Sequence, residues 1–103
     1  MIIRNWTLIL KRLIEAEQRG EAEEFAQQHD IELTDGSVTV IIECEPGQAE
    51  AVAEAAAEVS AEPVRVRSQN NWVKAVVPIT NLAALADIPG VRLVRLPWYP
   101  EED

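Results

Sequence analysis

Hydrophobic and polar residues alternate most clearly in "SVTVIIEC", Ser37 to Cys44, a β-branched run that reads as a strand. A second long run, "WVKAVVPI" from Trp72, has the same character, and "VRVRS" and "VRLVRLP" read as two shorter strands. Between them the period lengthens. "EPGQ" opens a helix with Pro46 near its first turn, and Ala49, Val52, Ala56 and Val59 recur at helical spacing until Pro63 stops it. Thr80 is placed to cap a short helix whose apolar positions are Leu82, Leu85 and Ile88, and Pro89-Gly90 ends it. "QNN", Gln69 to Asn71, supplies hairpin turn chemistry.

Upstream, residues 5–29 read as one helix, with Asn5 or Thr7 at its start and Gly20 as a weak point. Ile3, Trp6, Leu10, Leu13 and Ile14 fall near one face, and Phe25 returns to it. "LTDGS", Leu33 to Ser37, is a turn signal that separates this helix from the strands downstream.

Ser37 to Pro97 is therefore strand-helix-strand twice over, which points to an α+β, ferredoxin-like split βαβ (βαββαβ) fold with one extra N-terminal helix. Residues 1–32 form the helical extension and 33–103 the βαββαβ domain with its tail. Right-handed crossovers put the first and third strands in the centre. The second and fourth carry Arg65, Arg67, Arg92 and Arg95, charges suited to sheet edges.

Both helices of such a domain lie on one face of the sheet. The other face takes either Thr39, Ile41 and Glu43 or Val38, Val40, Ile42 and Cys44. The third strand offers Trp72, Lys74 and Val76 against Val73, Ala75 and Val77. Neither set is cleanly polar, so Ile41, Trp72 or Val76 is expected to stand exposed on the bare side unless something covers it. Two covers are open: the helix of residues 5–29, or a separate protein.

Composition narrows the function. The chain has 103 residues, with 18 acids against 9 bases and a net charge of −9, a sign that repels phosphate backbones and argues against nucleic acid as a partner. The single cysteine, Cys44, rules out an intrachain disulfide and reads as a small core residue. The apolar run Trp6 to Leu10 is too short for a signal peptide and no stretch is long enough to span a membrane. As written the chain is expected in the cytoplasm; as a fragment of a secreted precursor it would be extracellular.

Catalytic chemistry finds no support. His29 is the only histidine and is expected at the surface, and nothing makes metal spacing with Cys44. Gly36 and Gly47 stand alone, without a phosphate-cradling loop. Glu50, Glu54 and Glu58 follow i,i+4 spacing and read as a solvated helix face. The chain is read as a binding protein rather than an enzyme, with no cofactor and no metal.

The stretch "WVKAVVPITNLAALADIPGVRLVRL" resembles the second half of the propeptides and stand-alone inhibitors of subtilisin-like serine proteases, with Leu85, Pro89, Val91 and Val94 at the matching positions. The similarity runs from about Ser37 to Tyr99. It implies a domain that docks its bare sheet face on the protease and runs its C-terminal tail through the active-site cleft. Tyr99 would then occupy the specificity pocket, Leu96 an apolar pocket three residues earlier, and Pro100 would hinder cleavage after Tyr99. Pro97 and Trp98 depart from the family's pattern. The binding residues so implied are Leu96, Pro97, Trp98, Tyr99 and Pro100 in the tail and Ile41, Trp72 and Val76 on the sheet. Read without the resemblance, Trp98 and Tyr99 fold back as a cap on the core, and Glu101, Glu102 and Asp103 are a solvated end. The alternative function is a non-inhibitory regulatory domain that dimerises through the sheet face or the Trp6–Ile14 stripe.

Overall fold

The structure, a computed structural model, describes residues 8–85 and 87–97. Ile3, Asn5, Trp6 and Thr7, and the tail residues Trp98 to Asp103, lie outside the described residues. In chain order the elements are α1 (Leu8–Gln18), α2 (Ala22–Gln28), β1 (Leu33–Thr34), β2 (Ser37–Cys44), α3 (Ala49–Ala57), β3 (Arg65–Arg67), β4 (Trp72–Pro78), α4 (Leu82–Leu85) and β5 (Val91–Arg95).

The strands form one antiparallel sheet. β2 is central, with β4 on one side in the register Ser37↔Pro78 to Glu43↔Trp72, and β5 on the other from Ile41↔Arg95 to Cys44↔Val91. β3 lies outside β4, with Arg65 opposite Lys74 and Arg67 opposite Trp72. The spatial order β5-β2-β4-β3 puts the two long apolar strands in the centre, as their composition requires, and is compatible with a ferredoxin-like α+β arrangement.

The turn at "LTDGS" does more than separate elements. Asp35 and Gly36 both adopt positive φ, 51° and 80°, in a two-residue loop, and Thr34 pairs with Ser37. This is the backbone of a type I′ hairpin, which Asp-Gly favours because glycine has no Cβ to resist the left-handed region. It adds a short strand, β1, beside the start of β2.

The single helix expected over residues 5–29 is two. Gly20, at φ 76°, stops α1: the Glu21 amide donates to the Ala16 carbonyl at 2.7 Å and the Gly20 amide to Glu17 at 3.0 Å. That pair of bonds satisfies carbonyls the helix end leaves open. α2 ends the same way, with Asp30 at φ 57° and the Ile31 amide donating to Ala26 at 2.8 Å. Two further boundaries differ from expectation. α3 starts at Ala49 with Gln48 in the cap position, so Pro46 and Gly47 form the turn before it rather than its first turn. Thr80 does not cap α4; it is exposed within a 3₁₀ turn, Ile79–Asn81, whose own cap position is Pro78.

One core serves the whole described chain. Leu10 and Leu13 from α1, Ala22 and Ala26 from α2, and Ile31 join Val38, Val40, Ile42 and Cys44 of β2 and Val73, Ala75 and Val77 of β4. Val52 and Ala56 of α3, Leu82 and Leu85 of α4, and Val91 and Val94 of β5 complete it. The small residues of α3 let that helix lie close on the sheet. The N-terminal helices thus belong to the same layer as α3 and α4, and the expected boundary at residue 32 does not divide the core. From Leu10 onward, the described apolar residues of these helices are directed into that core rather than to the other side of the sheet. Each fully buried leucine contributes roughly 1.5–3 kcal/mol to holding them there.

Candidate functional site: the open face of the sheet

Alternation along β2 and β4 sends Val38, Val40, Ile42 and Cys44, with Val73, Ala75 and Val77, into the core. It sends Thr39, Ile41 and Glu43, with Trp72, Lys74 and Val76, to the opposite side. Register extends that second side across the sheet. One row reads Arg65, Lys74, Ile41, Arg95 over β3, β4, β2 and β5; the next reads Arg67, Trp72, Glu43, Leu93. No described element packs over these rows.

Ile41 is not exposed as the alternation suggested. It is 5 % exposed although it lies outside the core cluster. Its register partners are Lys74 and Arg95. Trp72, Val76 and Leu93 are half-buried.

Charge is the less expected property of this face. Arg65, Arg67, Lys74 and Arg95 are four of the chain's nine basic residues. Glu43 is the acid among them, and its Oε2 accepts a bond from Arg95 Nε at 2.6 Å, with both side chains mostly shielded from water. Among the described residues no carboxylate pairs with Arg65, Arg67 or Lys74. Arg65 and Lys74 stand directly opposite each other, and like charges so placed destabilise a sheet. Reading these arginines as edge charges missed that. The alternation in "VRVRS", combined with the hairpin at "QNN", was the signal that puts both on the face of Trp72 and Lys74.

β5 meets β2 through a bulge. The register shifts between Glu43 and Cys44, so Arg92 is the extra residue, and its guanidinium lies 4.0 Å from Glu45 at the exposed edge. The shift lets Val91 and Val94 both face the core although they are three residues apart. β5 enters from Gly90 at φ 94°, where a Cβ would stand 3.0 Å from Gln48 Cβ and 3.2 Å from Val52 Cγ2. Only glycine fits that approach to α3.

Of the tail residues, Leu96 is 0 % exposed and belongs to the core. This corrects its assignment to a partner's pocket: its side chain already fills one in this chain. Pro97 is half-buried, and Trp98, Tyr99 and Pro100 lie outside the described residues.

Cys44 is 1 % exposed, and its Sγ donates to the Ile42 carbonyl at 3.4 Å. Burial pushes its thiol up to about 11, and the Glu43 carboxylate adds to the effect. Such a thiol is protonated and sheltered at neutral pH. His29 is exposed, its ring 4.3 Å from that of Phe25. A shallow depression of about 340 Å³ between α1 and α2 is lined by Lys11, Arg12, Glu15, Arg19 and Phe25. Arg19 there is paired with Glu21 at 3.1 Å. Among the described residues no three histidine, cysteine or carboxylate groups gather as metal ligands, and no helix is long and apolar enough to cross a membrane.

Compared with known proteins, the chain matches no family model, no curated protein and no solved structure.

Proposed function

We propose that this chain is a protein-binding module of the propeptide and inhibitor type, which docks on a subtilisin-like serine protease through the open face of its sheet. The observation that carries the reading is that face itself: a four-strand surface with Trp72, Val76 and Leu93 half-buried and no described element packed over it. β5, the strand that leads into Pro97 and the tail, borders the same face. An extended segment leaving an edge strand is suited to pairing in a protease cleft by backbone bonds and alternating pockets. With Leu96 in the core, the tail's role rests on Tyr99 and its neighbours Pro97, Trp98 and Pro100. No residue of the chain is assigned a catalytic role.

The test is titration of the purified chain against a subtilisin-type protease, followed by cleavage of a chromogenic peptide. Tight inhibition that vanishes when residues 98–103 are deleted supports the reading. Digestion of the chain, or no effect on the protease, removes it.

The burial of Leu96 favours a second reading, a regulatory module that docks by the same face and inhibits nothing. The Trp6–Ile14 stripe is a poor dimer surface for such a module, since Leu10 and Leu13 are fully buried within the chain. In that case the deletion leaves binding unchanged.

A further inference from the structure

We infer that the β3–β4 side of this sheet face holds an acidic protein surface, whose carboxylates meet Arg65, Arg67 and Lys74 while apolar side chains rest on Trp72 and Val76, which flank Lys74 along β4. The inference rests on docking through this face but not on the partner being a protease.

The first support is where the chain puts its charge. A protein with 18 acids and 9 bases places four of those bases on the two adjacent rows of one sheet face, beside a single carboxylate that Arg95 already engages. Neighbouring strands stand about 4.8 Å apart, so Arg65 and Lys74 form a short cationic ladder. Folding gains nothing from setting them opposite each other. Departures from what favours the fold gather at functional or strained sites. Among the described residues Arg65, Arg67 and Lys74 have no carboxylate partner, so their charge is available to another molecule.

The second support is what the face disfavours. A two-fold dimer sets a patch against itself, which here would press cations on cations. A nucleic acid finds Trp72 as the face's one described aromatic, where base-reading sheets of this type stack two or three bases. A protein surface that carries carboxylates beside apolar side chains matches both the sign of Arg65, Arg67 and Lys74 and the apolar residues Trp72 and Val76 that flank Lys74.

The test is an amide NMR titration of the full chain with two peptides of about twelve residues and one apolar pattern, one bearing glutamates and the other lysines, with a uridine octamer alongside. The glutamate peptide should move the signals of Trp72, Lys74 and Val76, and binding should fall about tenfold in Arg65→Glu/Lys74→Glu. Arg65→Gln/Lys74→Gln, which removes the like-charge pair without adding acid, guards against misfolding and should weaken binding several-fold. Raising salt to about 0.3 M should weaken it too. Equal binding of the lysine peptide, tighter binding of the octamer, concentration-dependent shifts of the same signals in the chain alone, or no shifts at millimolar peptide would each overturn the inference.

Discussion

The two faces of the central strands are built from the same alternating run and behave as different materials. On one, Val38, Val40, Ile42 and Cys44 interlock with α1, α3 and α4, and each side chain is fixed by its neighbours. On the other, Thr39, Ile41 and Glu43 sit among Lys74, Trp72 and Arg95, and order comes from register and one ion pair. The contrast shows where information is stored. The covered face supplies the core, while the other face contributes the buried Ile41 and the Glu43–Arg95 pair.

The two faces should part most widely under truncation. Ile42→Ala and Leu96→Ala should each cost about 2–5 kcal/mol in urea denaturation, because both remove fully buried atoms from the core. Val76→Ala on the open face should cost less than about 1 kcal/mol. A Leu96→Ala variant as stable as wild type would return that residue to the tail. Gly90→Ala comes next, at about 1–3 kcal/mol, since it combines a left-handed backbone with a 3.0 Å approach to Gln48.

Cys44 adds a pH dependence that belongs to the covered face alone. Its thiol titrates at 9.0 when free and about 11 in the folded chain, so between those values the unfolded chain has lost a proton that the folded chain keeps. Stability therefore falls as pH rises through that window and is fully present below it. Urea midpoints at pH 8 and 10.5 should separate wild type from Cys44→Ala, which lacks this slope. The smallest effect has the opposite sign. Lys74→Gln relieves the repulsion with Arg65 while keeping most of the stem, and should stabilise the chain by less than about 0.5 kcal/mol by the same measurement.

The central strands, their order and the inward set Val38, Val40, Ile42 and Cys44 were legible because a period of two needs no knowledge of distant partners. Gly20 was legible as an irregularity but not as a stop, since its meaning lies in the bonds from Gly20 and Glu21 back to Glu17 and Ala16. The layer joined by α1 and α2 was not legible. An amphipathic stripe says that a helix buries one side, and only the space left beside α4 says against what. The cationic rows fell between these cases, because each arginine could be placed on a strand but their assembly with Lys74 and Arg95 depends on register across four strands.

The place of β2 has a consequence for how the protein is made. β2 draws its long partners from strands synthesised after it, β4 from Trp72 and β5 ending at Arg95. At roughly 5–20 residues per second, several seconds pass between the emergence of Cys44 and that of Arg95. For that interval, among the described residues, the run Val38 to Ile42 has only the two-residue β1 as an earlier strand to pair with, at Ser37 and Val38. An unpaired, β-branched, uncharged segment is a hazard to nascent chains nearby. A holding chaperone with a taste for such strands would find its window there, and it closes when β5 docks.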